Sequence, residues 1–148
     1  MKVEIYSKKA AAALIATGVP SCTAVISFYS PKRGGPGGER LVYGEGCEVF
    51  YCMIPDIDRE CLSDYGYTEQ TYLAEADALA AFVYRVKAAG WDLICQCDYG
   101  QSRSAACAAA ILQHFEGRGI DIFADYRYYP NQLVYHKIFD ALERQRAR

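Results

Sequence analysis

Five residues separate Cys97 from Arg103 in the run Cys97-Asp98-Tyr99-Gly100-Gln101-Ser102-Arg103-Ser104. A cysteine thiolate is a strong nucleophile, and an arginine carries a planar fork of donors that fits two oxygens of one phosphate, as lysine does not. Gly100 in mid-loop lets the backbone take a conformation that a side chain would hinder. If the loop opens a helix, the successive N–H groups of residues 98 to 103 curl around a tetrahedral anion at the positive helix end. The same N–H groups stabilise a thiolate at the base of the nest. Ser104 can donate a hydrogen bond to the sulfur and help it depart in a second step. The spacing thus predicts a phosphate cradle built from Asp98, Tyr99, Gly100, Gln101, Ser102 and Arg103, with Cys97 as its nucleophile.

The elements around the run suit that task. Residues 91–97, with Leu93, Ile94 and Cys95, read as a central strand, and a helix begins at Arg103 or Ser104 and runs to Glu116. Ala105, Ala106, Ala108, Ala109 and Ala110 let that helix lie close to a sheet. Upstream, residues 2–6 and 23–29 read as strands, with a helix over 8–16 capped by Ser7 between them. Residues 30–40 are rich in Gly and Pro; the stretch 34–38 is a turn or a flap over the site. Strands are expected over 41–43 and 47–53, a polar acidic segment over 55–66, and a helix over 68–89 with Leu73, Ala76, Leu79, Ala80, Val83 and Val86 on one face. A last helix is expected over 131–144. Strands alternating with helices predict an α/β fold, a mostly parallel central sheet flanked by helices on both faces. In such sheets ligands sit at the carboxyl ends of the strands, where Cys97 falls.

The 148 residues suit one domain, 1–148. With 52% hydrophobic and 23% charged residues the chain is globular. A net charge of −2 and a pI near 5.7 argue against nucleic acid as a partner, since a phosphate-backbone binder needs a basic surface. No apolar run approaches a membrane span, and the alanine stretch 10–16 is too short for a signal-peptide core. Seven cysteines without the paired C-x2-C spacing of a zinc site read as free thiols of a cytoplasmic protein, and neither a metal nor a cofactor is expected.

The loop resembles the active-site loop of cysteine-dependent protein tyrosine phosphatases: a cysteine, five residues, and an arginine followed by Ser or Thr. Asp98, Gly100, Ser102, Arg103 and Ser104 are most similar to the small dual-specificity branch, and Tyr129-Pro130-Asn131-Gln132-Leu133-Val134-Tyr135 resembles a segment of small prokaryotic phosphatase-like proteins. The loop and its flanks cover about a third of the chain at useful specificity. The resemblance implies hydrolysis of a phosphate monoester, with a phosphorylated protein or a small phosphate ester as partner. Cys97 would attack phosphorus and form a cysteinyl phosphate, and Arg103 with the loop N–H groups would hold the equatorial oxygens. An aspartic acid would protonate the leaving group and then activate water. The resemblance puts that acid before the helix that precedes the nucleophile strand, where Asp56, Asp58 and Asp64 stand. Asp56, after the apolar run 51–54, is preferred. One position departs from the pattern: Gln96 replaces the usual histidine before the nucleophile, which implies slower turnover but not loss of phosphate binding.

Other residues carry plainer readings. Cys95 shares a strand face with Cys97 and is either core or a partner for a protective disulfide; Cys107 reads as packing. His114 and His136 read as structural or surface residues. Tyr126, Tyr128 and Tyr129 could line a pocket for an aromatic phosphoester or sit at a surface edge. The basic end, Arg144, Arg146 and Arg148, suits a helix C-terminus. Two rival functions remain: a phosphate-binding module with little catalysis, and a thiol-dependent arsenate reductase-like oxidoreductase, which would need resolving thiols near Cys97.

Overall fold

The computed structural model describes residues 1–32 and 38–148. Most of the glycine-rich stretch over 34–38 therefore lies outside the described residues.

Among the described residues, four strands, β1 (Val3–Tyr6), β2 (Thr23–Tyr29), β3 (Glu48–Met53) and β4 (Asp92–Gln96), form one sheet in the order β1-β4-β2-β3. Every pairing is parallel. Parallel neighbours need crossovers, and the helices supply them. They are α1 (Lys8–Thr17), α2 (Ala76–Ala88), α3 (Arg103–Glu116), α4 (Ile120–Phe123) and α5 (Gln132–Arg146). The alternation of each strand sends side chains to two cores. Val25 and Ile94 meet Ala11 of α1 and Tyr43 on one face. Ala24, Ile26, Phe28, Leu93 and Cys95 meet α2, α3 and α5 on the other. The sheet is thus covered on both faces, as the alternation of elements predicts.

Register matters most for the site. Gln96 at the end of β4 stands beside Tyr6 of β1 and Ser27 of β2, and Tyr29 of β2 stands beside Met53 of β3. The carboxyl ends of all four strands therefore converge, and Ser7, Ser30, Ile54 and Cys97 follow within a residue of those ends. The alanine-rich α3 is buried along most of its length between the sheet and α5. Small side chains permit that close approach.

Two expectations need correction. Residues 41–43 are not a strand; they have no ladder partner, and Tyr43 instead buries its ring over the sheet with its hydroxyl pointed at Gln96. The helix expected from residue 68 begins only at Ala76. Residues 68–75 form turns instead, with Thr68 and Thr71 bonded to each other's backbone and side chains, and Leu73 takes a φ of 51°. Hydroxyl side chains compete with helical bonding in this way, and Leu73 stays buried without being helical. The short α4 was not foreseen.

Candidate active site

Cys97 follows β4 directly, and α3 begins at Arg103, so the intervening loop sits at the mouth of the sheet. Its carbonyls turn outward. Asp98 O accepts from Lys8 N at 3.1 Å, Gln101 O from Tyr129 N at 2.8 Å, and Ser102 O from Asn131 N at 3.2 Å. Its N–H groups are left for another partner. Among the described residues, nothing in the protein accepts from the backbone N–H of any residue from 98 to 103. The loop thus presents six backbone donors without a protein acceptor at the mouth of the sheet, an arrangement able to receive an anion.

Gly100 makes the curl. It has a φ of 69°, and a Cβ there would stand 2.7 Å from Ser7 N and 3.0 Å from Tyr6 C. The loop turns tightly because it packs against the end of β1.

Arg103 is 3% exposed. Nη1 donates to Ile54 O at 2.7 Å and to Ser30 Oγ at 3.0 Å, and Nη2 donates to Asp98 Oδ2 at 3.1 Å. Its Nε is buried without any partner. A guanidinium has five donors, so the fork is held by β2, β3 and the loop itself while one edge stays available for an oxygen ligand. Cys97 is likewise buried, and its Sγ lies 3.0 Å from Ser104 Oγ.

Asp56 reaches the loop from the segment after β3. Its Oδ1 accepts from Ser102 Oγ at 2.8 Å and from Asn131 Nδ2 at 2.8 Å. Asn131 also donates to Ile57 O and caps α5 through Val134 N at 2.9 Å. Both donors fall on Oδ1 and leave Oδ2 open. Asp58 is exposed on the wall of an adjoining groove of about 530 Å³, which Asp56, Ser102 and His136 also line. Asp64 lies exposed in a 3-10 turn, Ser63–Tyr65, and has no bond to the loop. The structure thus brings Asp56, and neither Asp58 nor Asp64, into contact with the Cys97–Arg103 loop.

The remaining candidates fall as follows. Gln96 is buried, with Oε1 accepting from Ser27 Oγ at 2.5 Å and Tyr43 OH at 2.7 Å, while Nε2 donates to Cys97 O at 3.0 Å. Ser30, Ser27 and Tyr43 were missed by sequence reasoning, since nothing in their local sequence ties them to residue 97, whereas Asn131 lay in the 129–135 segment already singled out by resemblance but without a role. Tyr99, Tyr126 and Tyr129 are exposed; Tyr99 belongs to the loop, and Tyr129 is tied to it through its backbone. Cys95 and Cys107 are fully buried; burial and the neighbouring Cys95 thiol push Cys107 well up. His114 is structural: it is buried, with Nε2 2.5 Å from Tyr84 OH and Nδ1 2.9 Å from Glu143 Oε1, whereas His136 is exposed. Among the described residues no cluster of three metal-ligating side chains exists, and no helix is long and apolar enough to cross a membrane.

The fold is that of the cysteine-dependent protein tyrosine phosphatases. Human DUSP28 matches with a TM-score of 0.58 at 19% identity, over 98% of this chain and 94% of that one. PTPMT1, solved in complex with PI(5)P, matches with 0.58 at 15% identity over 99% and 93%. The human tyrosine phosphatase-like serine/threonine/tyrosine-interacting protein matches with 0.54 at 17% identity over 95% and 85%. No protein-family model matches the sequence, and no curated protein matches it either. At these identities the likeness establishes the fold, and it agrees with the resemblance carried by the loop.

Proposed function

We propose that this protein hydrolyses phosphate monoesters through a cysteinyl-phosphate intermediate, as a protein tyrosine or dual-specificity phosphatase. The observation that carries this reading is the run of open N–H groups over 98–103 beside the unpartnered Nε of Arg103, with the Cys97 sulfur at its base. Three equatorial oxygens of a phosphoryl group need such a set of donors, and they need it most in the transition state. Cys97 Sγ attacks phosphorus while the bond to the leaving oxygen breaks, and the proton on Asp56 Oδ2 passes to that oxygen. Asp56, now a carboxylate, takes a proton from water as the water attacks phosphorus. The S–P bond then breaks, and the departing sulfur accepts a hydrogen bond from Ser104 at 3.0 Å. Phosphotyrosine in a protein is the substrate the loop resemblance favours, with the exposed tyrosines at its rim offering aromatic contact.

Hydrolysis of an aryl phosphate without metal tests this reading. Wild type is expected to turn over and Cys97→Ser to be inactive while remaining folded. Asp56→Asn is expected to lower the rate with a poor leaving group by about 10²–10⁴-fold, with Asp58→Asn and Asp64→Asn close to wild type. Equal effects at the three aspartates would sink the assignment of the acid.

A second reading, a phosphate-binding module with weak catalysis, is favoured by one feature, the uncharged Gln96 behind the nucleophile. It expects phosphate or vanadate to bind without turnover. The reductase reading needs a resolving thiol near Cys97: Cys95, Cys52 and Cys107 are buried in the core, and Cys22 and Cys47 precede β2 and β3 at the opposite end of the sheet, which leaves partly exposed Cys61 after β3 as its one candidate.

A further inference from the structure

Behind the nucleophile lies a buried polar chain that none of the chemistry above uses. Ser27, Tyr43 and Gln96 are each at most 5% exposed, yet all three are polar. Burial pushes the Tyr43 hydroxyl upward, so it keeps its proton and donates. The orientation of the Gln96 amide is forced by its surroundings. Cys97 O carries no proton and can only accept, so the amide NH2 must face it. The opposite rotamer would set two carbonyl oxygens about 3 Å apart in a buried site. With the NH2 so directed, Gln96 Oε1 meets the Ser27 and Tyr43 hydroxyls, and both of them are donors. Two donors on one oxygen polarise the amide and strengthen the hydrogen bond that its NH2 donates to Cys97 O.

We infer that Tyr43 and Ser27 are positioning residues of the phosphate loop. They act only through Gln96, fixing its amide so that it holds the Cys97 carbonyl and with it the first turn of the N–H crown. The chain crosses three elements: Tyr43 from the segment before β3, Ser27 from β2, and Gln96 from β4. It places a neutral group behind the nucleophile and keeps it aligned by hydroxyls. Residues 41–43 are out of the sheet for that reason: Tyr51 OH donates to Leu41 O at 2.6 Å, which pins the segment where the Tyr43 ring can reach over β2 to Gln96.

This inference rests on the phosphate-site reading, and one experiment separates the two. Alkylation of Cys97 by iodoacetamide is followed at increasing inorganic phosphate or vanadate, for wild type, Tyr43→Phe, Ser27→Ala, Gln96→Leu, and each hydroxyl change combined with Gln96→Leu. Thermal unfolding checks that every variant is folded. If the anions do not protect wild-type Cys97, the phosphate site itself is refuted, and the inference goes with it. If they do, Tyr43→Phe and Ser27→Ala are each expected to weaken protection by about 3–10-fold, the rate equivalent of one neutral hydrogen bond. Neither is expected to weaken it further when added to Gln96→Leu, because the relay is already cut. Equal losses in both backgrounds would overturn the relay, as would no loss in wild type. Should Gln96→Leu not fold, Gln96→Glu serves: it keeps an acceptor for the two hydroxyls but sets a carboxylate oxygen against the Cys97 carbonyl, so protection is expected to fall sharply with Tyr43 and Ser27 intact.

Discussion

Substituting alanine for Gly100 separates two costs that usually arrive together. Gly100 and Gly117 have nearly the same backbone, with φ of 69° and 68°. An alanine at either site adopts a left-handed conformation, which costs roughly 1–2 kcal/mol. Either change also stiffens the unfolded chain equally, so that contribution cancels between them. The surroundings differ. At Gly117, the C-cap of α3, a Cβ meets nothing within 4 Å; at Gly100 it meets Ser7 N at 2.7 Å, Tyr6 C at 3.0 Å and Ser7 Cα at 3.1 Å. Those atoms are backbone at the end of β1 and the start of α1, where Ser7 caps the helix through Ala10 N. They cannot rotate away. Overpacking of this kind costs about 1–3 kcal/mol. Gly117→Ala is therefore expected to lower stability by about 1–2 kcal/mol and Gly100→Ala by about 2–5 kcal/mol. For a chain of this size that is a Tm fall of about 2–8 °C against about 4–20 °C. The assay is thermal and urea unfolding of both variants side by side, followed by phosphate protection of Cys97. Only Gly100→Ala is expected to weaken protection, because relief of the clash moves the N–H groups of the loop. If the two variants are equally stable within about 0.5 kcal/mol, the close approach of the loop to β1 is wrong, and with it the explanation of the tight curl.

Ser104→Ala is expected to leave formation of the cysteinyl phosphate near wild type and to slow its breakdown about 10-fold or more, since a hydrogen bond to the leaving sulfur is lost. Rapid-quench kinetics with an aryl phosphate would show a larger burst and a slower steady state; equal slowing of both phases would contradict the role. Stability is expected to fall as pH rises above about 8.5, the ordinary thiol range. Burial holds Cys52 and Cys107 well above it, so the folded thiols keep protons that the unfolded chain gives up, and each group lowers stability by up to about 1.4 kcal/mol per pH unit. Urea midpoints measured from pH 7 to 10 check this, and a midpoint that stays flat to pH 10 would contradict it. Substituting alanine for Cys107 is expected to reduce the slope.

The sequence by itself determined the class of fold and the expectation of a phosphate-binding loop. Cys97, Gly100, Arg103 and Ser104 lie within eight residues, so their spacing, the hydrophobic β4 before them and the alanine-rich α3 after them are all local. Parallel strands alternating with helices follow from periodicity, which is also local. The tertiary structure decided what comes from far along the chain. Asp56 was one of three aspartates in one acidic segment, and only Asn131 and Ser102 single it out. Ser30 and Ile54 complete the cage around Arg103 from two other strands because parallel register brings those strand ends together. Tyr43 sits in a stretch whose local pattern suits a strand; its hydroxyl is drawn out of any ladder by Gln96, more than fifty residues away. The two false expectations, at 41–43 and 68–75, share that cause: side-chain hydroxyls found partners better than the next backbone bond. As for Gln96, its identity was plain from the start, but what an uncharged amide could do behind a nucleophile depended on which groups the fold placed against its oxygen.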